Sequence, residues 1–207
     1  MSLDEAIERP SLRGEAVRRI RAAIVYGEIA PGEIHSAPAL AARMGVSVTP
    51  VREALLELTH RGMVTQVRNR GFRIVEHTPA ELDAALELRA LLEVPLLGRL
   101  AGSLSDAEHF KRLVEAGIEA AARGDEGAFL DLDRGFHLGL LAAAGNPRVV
   151  DVVDAVLDQL RLAPFHNALG EVAQGHAQIL AALLAGDREA TEAAAREHLE
   201  LTRTAWS

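Results

Sequence analysis

Residues 45–55, GVSVTPVREAL, read as the turn and the start of the second helix of a helix-turn-helix. Gly45 can adopt the left-handed conformation that ends one helix, and Ser47 or Thr49 can cap the next. Pro50 falls in the first helical turn, where a missing N–H costs no hydrogen bond. Val51, Leu55 and Leu58 recur at three- and four-residue spacing and so share one apolar face. Ser47, Val48, Thr49 and Arg52 are left for the other face. Short side chains with one arginine suit close entry into a DNA major groove, with Arg52 set to read a base edge.

Upstream, Leu12, Val17, Ile20 and Ile24 mark a helix that ends at Gly27, Pro31-Gly32 make a turn, and Ser36 can cap a short helix carrying Leu40 and Met44. Downstream, the helix begun near Ser47 stops at Gly62. Met63 to Val67 and Phe72 to Val75 are β-prone runs flanking Arg68-Asn69-Arg70-Gly71, which predicts a hairpin with Arg68 and Arg70 at its tip. Three helices and a hairpin make a winged helix-turn-helix, its wing placed for DNA backbone or minor groove.

A net charge of −8 over 207 residues is unexpected for a partner of DNA until the chain is divided. Residues 1–75 hold 11 Arg and Lys against 8 Asp and Glu, and the remainder holds 11 against 22. Only the first part suits a phosphate backbone. Cysteine is absent, which excludes a disulfide scaffold and thiolate metal sites. No apolar run approaches the roughly 18 residues needed to span a bilayer, and no charged-then-apolar leader opens the chain, so the expectation is a cytoplasmic protein with no membrane partner.

Thr78-Pro79-Ala80-Glu81 has capping-box spacing with proline at the first helical position, a strong start signal for a new helix. It divides the chain into residues 1–77, a DNA-binding domain, and residues 78–207. In the second part a long helix carries Leu82, Ala85, Leu86, Leu92, Leu96 and Leu100 and halts at Gly102. Ser105 and Glu108 have the spacing of another capping box, for a helix ending near Gly124. Asp125 opens the next, Asn146-Pro147 the one after, closed by Pro164, and two more follow on either side of Gly186-Asp187. Six helices without a strand signal predict an antiparallel bundle and a mostly α chain.

Four residues carry the chemistry of that bundle. Asp133 and His137 are four apart on one helix and can point at one spot, which is ordinary metal-ligand spacing. His176 and His198 flank the Gly186 turn at nearly equal distances, about 15 and 18 Å along neighbouring helices, so they lie at similar heights. On spacing alone, buried or surface histidines without a metal remain the commoner alternative. Arg89 and Glu93 are the other pair. An exposed four-apart ion pair is the bland reading, yet Arg89 falls on the apolar side, near Ala85, Leu86 and Leu92, where an arginine needs an anionic partner. His35, His60, His77, His109 and His166 have no comparable partners and read as ordinary surface or linker residues.

The ordered run Ile20, Ile24, Gly27, Pro31-Gly32, Leu40-Ala41, Gly45-Val46-Ser47, Thr49-Pro50-Val51-Arg52-Glu53-Ala54-Leu55, Leu58, Gly62 and Val64 resembles the GntR family of bacterial transcriptional regulators. Val48 stands where that family often has arginine, and Pro38 where it usually has a polar or basic residue. The second part resembles the FCD ligand-binding bundle of the fatty-acid-regulator branch, in its six-helix form. The resemblance implies that Asp133, His137, His176 and His198 hold a divalent metal, and that Arg89 with Glu93 serves the effector. Three imidazoles and a carboxylate suit zinc, nickel, iron or manganese alike. Room for the metal disfavours a long acyl thioester and favours a small carboxylate effector such as a hydroxy, keto or sugar acid or a short dicarboxylate. The expectation is a homodimeric, ligand-responsive regulator, a repressor if it follows the family's usual direction, acting on a double-stranded operator with an inverted repeat. Two alternatives belong to other classes: a metal-dependent enzyme using the same four residues, for which no paired base, nucleophile elbow or phosphate loop is present, and a protein that merely dimerises through its alanine-rich bundle.

Overall fold

The computed structural model describes residues 11–163 and 168–205, and its contacts divide the chain into two compact units, Met1–Glu76 and His77–Ser207. The architecture is mostly helical, with one small sheet in the first unit.

In that unit the elements run α1 (Leu12–Val25), β1 (Ile34–His35), α2 (Ala37–Met44), α3 (Val48–His60), β2 (Val64–Val67) and β3 (Gly71–Ile74). Two helix starts are capped by serine hydroxyls: Ser11 accepts from the Gly14 amide and Ser36 from the Ala39 amide. Gly45 ends α2 in the left-handed conformation, with φ 68°, so the turn into α3 forms without Cβ strain. Ser47 occupies the N-cap of α3 but its side chain makes no capping bond, and Thr49 lies within the helix. Val51, Leu55 and Leu58 of α3 are buried, as are Ile20 and Ile24 of α1 and Leu40 of α2, and α3 packs on both of those helices. An ion pair from Arg13 to Glu57, at 2.7 Å, ties α1 to α3 at the surface.

The sheet is antiparallel with strand order β1-β3-β2. Strand β1 is an addition to the sequence expectation; at two residues it is too short to show alternation. It matters for the wing because Gly71 crosses the His35 carbonyl so closely that a Cβ there would sit 2.3 Å from the oxygen. With φ at 124° as well, position 71 admits glycine alone.

The second unit contains α4 (Pro79–Leu100), α5 (Ala107–Ala122), α6 (Glu126–Ala143), α7 (Pro147–Leu160), α8 (Leu169–Ala185) and α9 (Arg188–Ala205). The capping box at its start is formed: the Glu81 amide donates to Thr78 Oγ1, and the Thr78 amide donates to Glu81 Oε2. One cap differs from the sequence reading. Ser105 and Glu108 do not cap α5; Asp106 does, its carboxylate accepting from the His109 amide at 3.2 Å. A carboxylate at that position both satisfies an orphan amide and faces the positive end of the helix, so it outcompetes the serine one residue earlier. Helix α7 gives way to a turn at Arg161, while Pro164, read as its terminator, lies outside the described residues.

Helix α4 packs on α9, α9 on α8, α8 on α5, and α5 on α6, which brings α4, α6, α8 and α9 around one interior. Leu86, Leu97, Phe136, Leu140, Ile179 and Leu183 fill it almost without exposure. Each such side chain contributes about 1.5–3 kcal/mol through its removal from water, and this apolar surround makes the polar groups within it costly.

Candidate functional site

Six of the buried polar side chains among the described residues draw together in that interior. Asp133 and His137 project from α6, His176 from α8, His198 from α9, and Arg89 and Glu93 from α4; the two α4 residues are 1% exposed, where an exposed pair was the bland alternative. The Nε2 atoms of His137 and His198 are 3.0 Å apart and those of His137 and His176 are 3.3 Å apart. Asp133 Oδ1 lies 3.1 Å from His176 Nε2 and 3.5 Å from His137 Nε2. One ligating atom from each of the four residues falls within 4.8 Å of all the others.

These separations can be tested against a cation. Two nitrogens each about 2.0–2.1 Å from one ion stand about 3.0 Å apart at a right angle and about 3.4 Å apart at the tetrahedral angle. The His137–His198, Asp133–His176 and His137–His176 spacings fall within that range, and the Asp133–His137 spacing of 3.5 Å lies just beyond it. Protonation fits too, because ligation needs bare imidazoles and an ionised carboxylate. Burial drives the His176 pKa down against the pull of Asp133, and burial, reinforced by His176 and His137, drives that of His198 well down. Burial alone would raise the Asp133 carboxyl, but His137, His176 and Arg89 hold it far below the carboxylate range. The donor set could hold a divalent ion.

Local packing explains the convergence. Phe136 lies against the rings of His137 and His176, with centroids 5.6 and 4.6 Å away, and Phe129 stacks on His176. Gly175 lets α9 come close: a Cβ there would sit 2.7 Å from His198 Nδ1. That nitrogen is buried without a hydrogen-bond partner, so His198 is held by packing and by its Nε2 side. Next to Asp133, Arg134 donates to Asp158 at 2.8 Å and also pairs with Asp154, fastening α6 to α7.

Arg89 donates its Nε to Glu93 Oε1 at 2.6 Å. Burial pushes the Glu93 carboxyl upward, but Arg89 and then His137 outweigh it and bring it down to about 2. Burial likewise works against the Arg89 charge, and Glu93 and Asp133 more than restore it. A surface pair of this spacing is worth about 0.2–0.5 kcal/mol; in a buried one, loss of a partner costs about 3–5 kcal/mol. One contact had no signal in the sequence: His137 Nδ1 meets Glu93 Oε2 at 2.7 Å, across 44 positions.

The other candidate face belongs to the first unit. Ser47, Val48, Thr49 and Arg52 are all exposed at the start of α3, and Arg68 and Arg70 are exposed on the turn between β2 and β3. Arg52 and Arg70 line the same groove, together with Pro38, Gln66 and Asn69. Gln66 and Asn69 were not singled out in the sequence; both are exposed, Gln66 even though alternation along β2 sets it on the side of buried Val64. Of the remaining histidines, His35 meets Glu33 at 2.8 Å, His60 and His109 do not belong to the group of four ligating residues, and His166 lies outside the described residues. His77, read as an ordinary linker residue, is partly buried and its Nε2 lacks a partner.

A family model for bacterial regulatory proteins of the gntR family matches residues 12–74, and one for the FCD domain matches residues 84–201. The chain belongs to the GntR family. Among curated relatives of this GntR regulator, a probable D-xylose utilization operon transcriptional repressor of Paenarthrobacter nicotinovorans is 32% identical over 206 residues, covering 94% of this chain and 90% of that one. An HTH-type transcriptional regulator in an unstable DNA locus of Streptomyces ambofaciens is 34% identical, covering 90% of this chain and 81% of that one. Among solved structures, Escherichia coli McbR/YncC aligns with a TM-score of 0.82 at 23% identity, over 93% of this chain and 95% of that one, a likeness of fold. The GntR chain is therefore a DNA-binding transcriptional regulator with an FCD domain, and its relatives are regulators, not enzymes. Among the described residues no helix is long and apolar enough to cross a membrane.

Proposed function

We propose that this regulator is a homodimeric repressor whose residues 78–207 hold a divalent metal and a small carboxylate effector, and whose residues 1–77 bind an inverted-repeat operator. The observation that carries the reading is the convergence of four ligating atoms beside one buried guanidinium.

Asp133, His137, His176 and His198 would hold the ion. Bound there, it would supply a Lewis-acidic position for one carboxylate oxygen. Arg89 offers the matching donor for a second oxygen, and Glu93 serves the pocket by holding Arg89 in place. Charge balance favours an anion. With neutral histidines, Arg89, Glu93 and Asp133 sum to one negative charge; a divalent ion turns this into one positive charge, and a monocarboxylate brings it to zero. In an apolar interior the neutral sum avoids an uncompensated charge costing several kcal/mol. Zinc, nickel, iron and manganese all accept these donors.

On the first unit, Arg52 would contact a base edge, while Ser47, Thr49, Arg68 and Arg70 would engage the backbone and Val48 would pack against the groove. Repression agrees with the names of two relatives, the Paenarthrobacter repressor and the Escherichia coli repressor RspR. For the effector to act, its affinity must differ between two arrangements of the dimer, and a coupling of about 1–3 kcal/mol changes operator affinity about 5- to 150-fold. Calorimetric titration of hydroxy, keto and sugar acids into metal-loaded protein, metal-free protein and Arg89→Ala, each with and without operator, tests this. The expected result is binding that needs both the metal and Arg89 and shifts with DNA by the reciprocal factor. Binding indifferent to metal and Arg89 would defeat the proposal.

A further inference from the structure

Glu93 spans two partners in the buried interior of the second unit. Its Oε1 accepts from Arg89 Nε at 2.6 Å, and its Oε2 lies 2.7 Å from His137 Nδ1 and 3.5 Å from an Arg89 terminal nitrogen. A carboxylate ion-paired to a guanidinium has only lone pairs to offer, so the short contact to His137 requires the proton to sit on Nδ1. A neutral imidazole protonated at Nδ1 is bare at Nε2. The Nε2 of His137 is the atom that faces Asp133, His176 and His198.

We propose that Glu93 is a positioning residue that sets the tautomer and ring orientation of His137, presenting a lone pair rather than an N–H bond to the cluster. The consequence for cation binding rests on the metal reading above; the tautomer assignment stands without it. Arg89 completes the device by holding the carboxylate in place from the far side. His198 lacks a comparable guide, since its Nδ1 has no hydrogen-bond partner.

Glu93→Gln exposes the logic because an amide has one accepting and one donating end. If its oxygen stays with His137, its NH2 group opposes the Arg89 N–H; if it turns to satisfy Arg89, the NH2 group faces Nδ1, which must then accept, and the proton moves to Nε2. A residue that only filled space would leave the tautomer alone.

The test joins two readouts on the full chain. Long-range proton–nitrogen spectra of metal-free protein report which His137 nitrogen carries the proton, and chelator competition reports zinc affinity. Wild type is expected to carry the proton on Nδ1, and Glu93→Gln to move it to Nε2 while zinc affinity falls about 10- to 100-fold, with circular dichroism unchanged. A wild-type proton on Nε2, or a folded Glu93→Gln protein with Nδ1–H retained and unaltered affinity, would overturn the inference. Should the variant not fold, the wild-type spectrum alone decides. Wild type with the expected tautomer but no zinc uptake would defeat the metal reading and leave the Glu93 assignment in place.

Discussion

The two units put their polar chemistry in opposite places. At the start of α3, Ser47, Thr49 and Arg52 stand in solvent, and the wing arginines 68 and 70 are equally open. In the second unit Arg89, Glu93, His137, His176 and His198 are each no more than 3% exposed, and Asp133 is 9% exposed. An exposed arginine keeps its hydration until phosphate or a base edge replaces it, so the first face can wait unpartnered at little cost. The buried groups cannot; they are held by one another, and their donor set could hold a cation. Under the proposed function the first surface would gain only affinity from its partner, whereas a bound ion would add stability to the second.

The sharpest attempt to break this contrast removes a ligating histidine. His176→Ala should lower zinc affinity by more than the about 10- to 100-fold expected for losing an outer partner such as Glu93, while His109→Ala should leave it unchanged; chelator competition measures both. Chelation of the loaded protein comes next. At 100 times the dissociation constant, a ligand of the folded state adds about 2.7 kcal/mol, so stripping the ion should lower the melting temperature by about 10 °C for a unit of this size. A melting curve indifferent to chelator would remove the stability half of the comparison. On the exposed side, Arg52→Ala should cost about 1–3 kcal/mol of operator affinity and relax specificity at one position per half-site, with no change in metal affinity or melting temperature. Fluorescence anisotropy on a selected operator, read beside a thermal scan, would show whether the two surfaces are separable in this way.

Acid provides the mildest probe. His176 and His198 have folded pKa values below their ordinary 6.5, so the unfolded chain takes up protons first as pH falls. Their contribution is intact above about pH 6.5 and is lost progressively below it. Glu93 follows the same sign at lower pH: its contribution holds above its ordinary 4.5 and is lost as pH falls toward about 2. Metal-free protein should thus lose melting temperature from pH 7 downward, first from the histidines and then from the carboxylates, and His176→Ala should flatten the earlier phase.

How far this contrast could be read in the chain depended on sequence distance. Gly45, Ser36 and the Thr78-Pro79-Ala80-Glu81 run act on neighbours within a few residues, and the helix-turn-helix and the start of α4 were legible from them. Asp133 and His137 were legible as a pair because one helix turn separates them, and His176 and His198 because a single turn relates their helices symmetrically. The cap of α5 was misplaced by one residue: Ser105 and Asp106 are both good caps, and the helix uses Asp106, whose charge faces its positive end. Strand β1 offered two residues and no period. The Glu93–His137 bond, the Arg134–Asp158 bond and the Gly175–His198 approach join residues tens of positions apart, which no local pattern encodes. Helix geometry could thus anticipate that these four side chains come together, and the family resemblance implied their ligand role, but the groups packed against them required the folded structure.

The central claim is that the second unit's buried cluster is a metal centre. Its most direct test is elemental analysis of protein purified under native conditions, reconstituted with zinc or manganese and desalted. The account predicts about one divalent ion per chain, falling to background in the Asp133→Ala/His176→Ala double variant. Less than about a tenth of an ion per chain in a folded wild-type protein would contradict it.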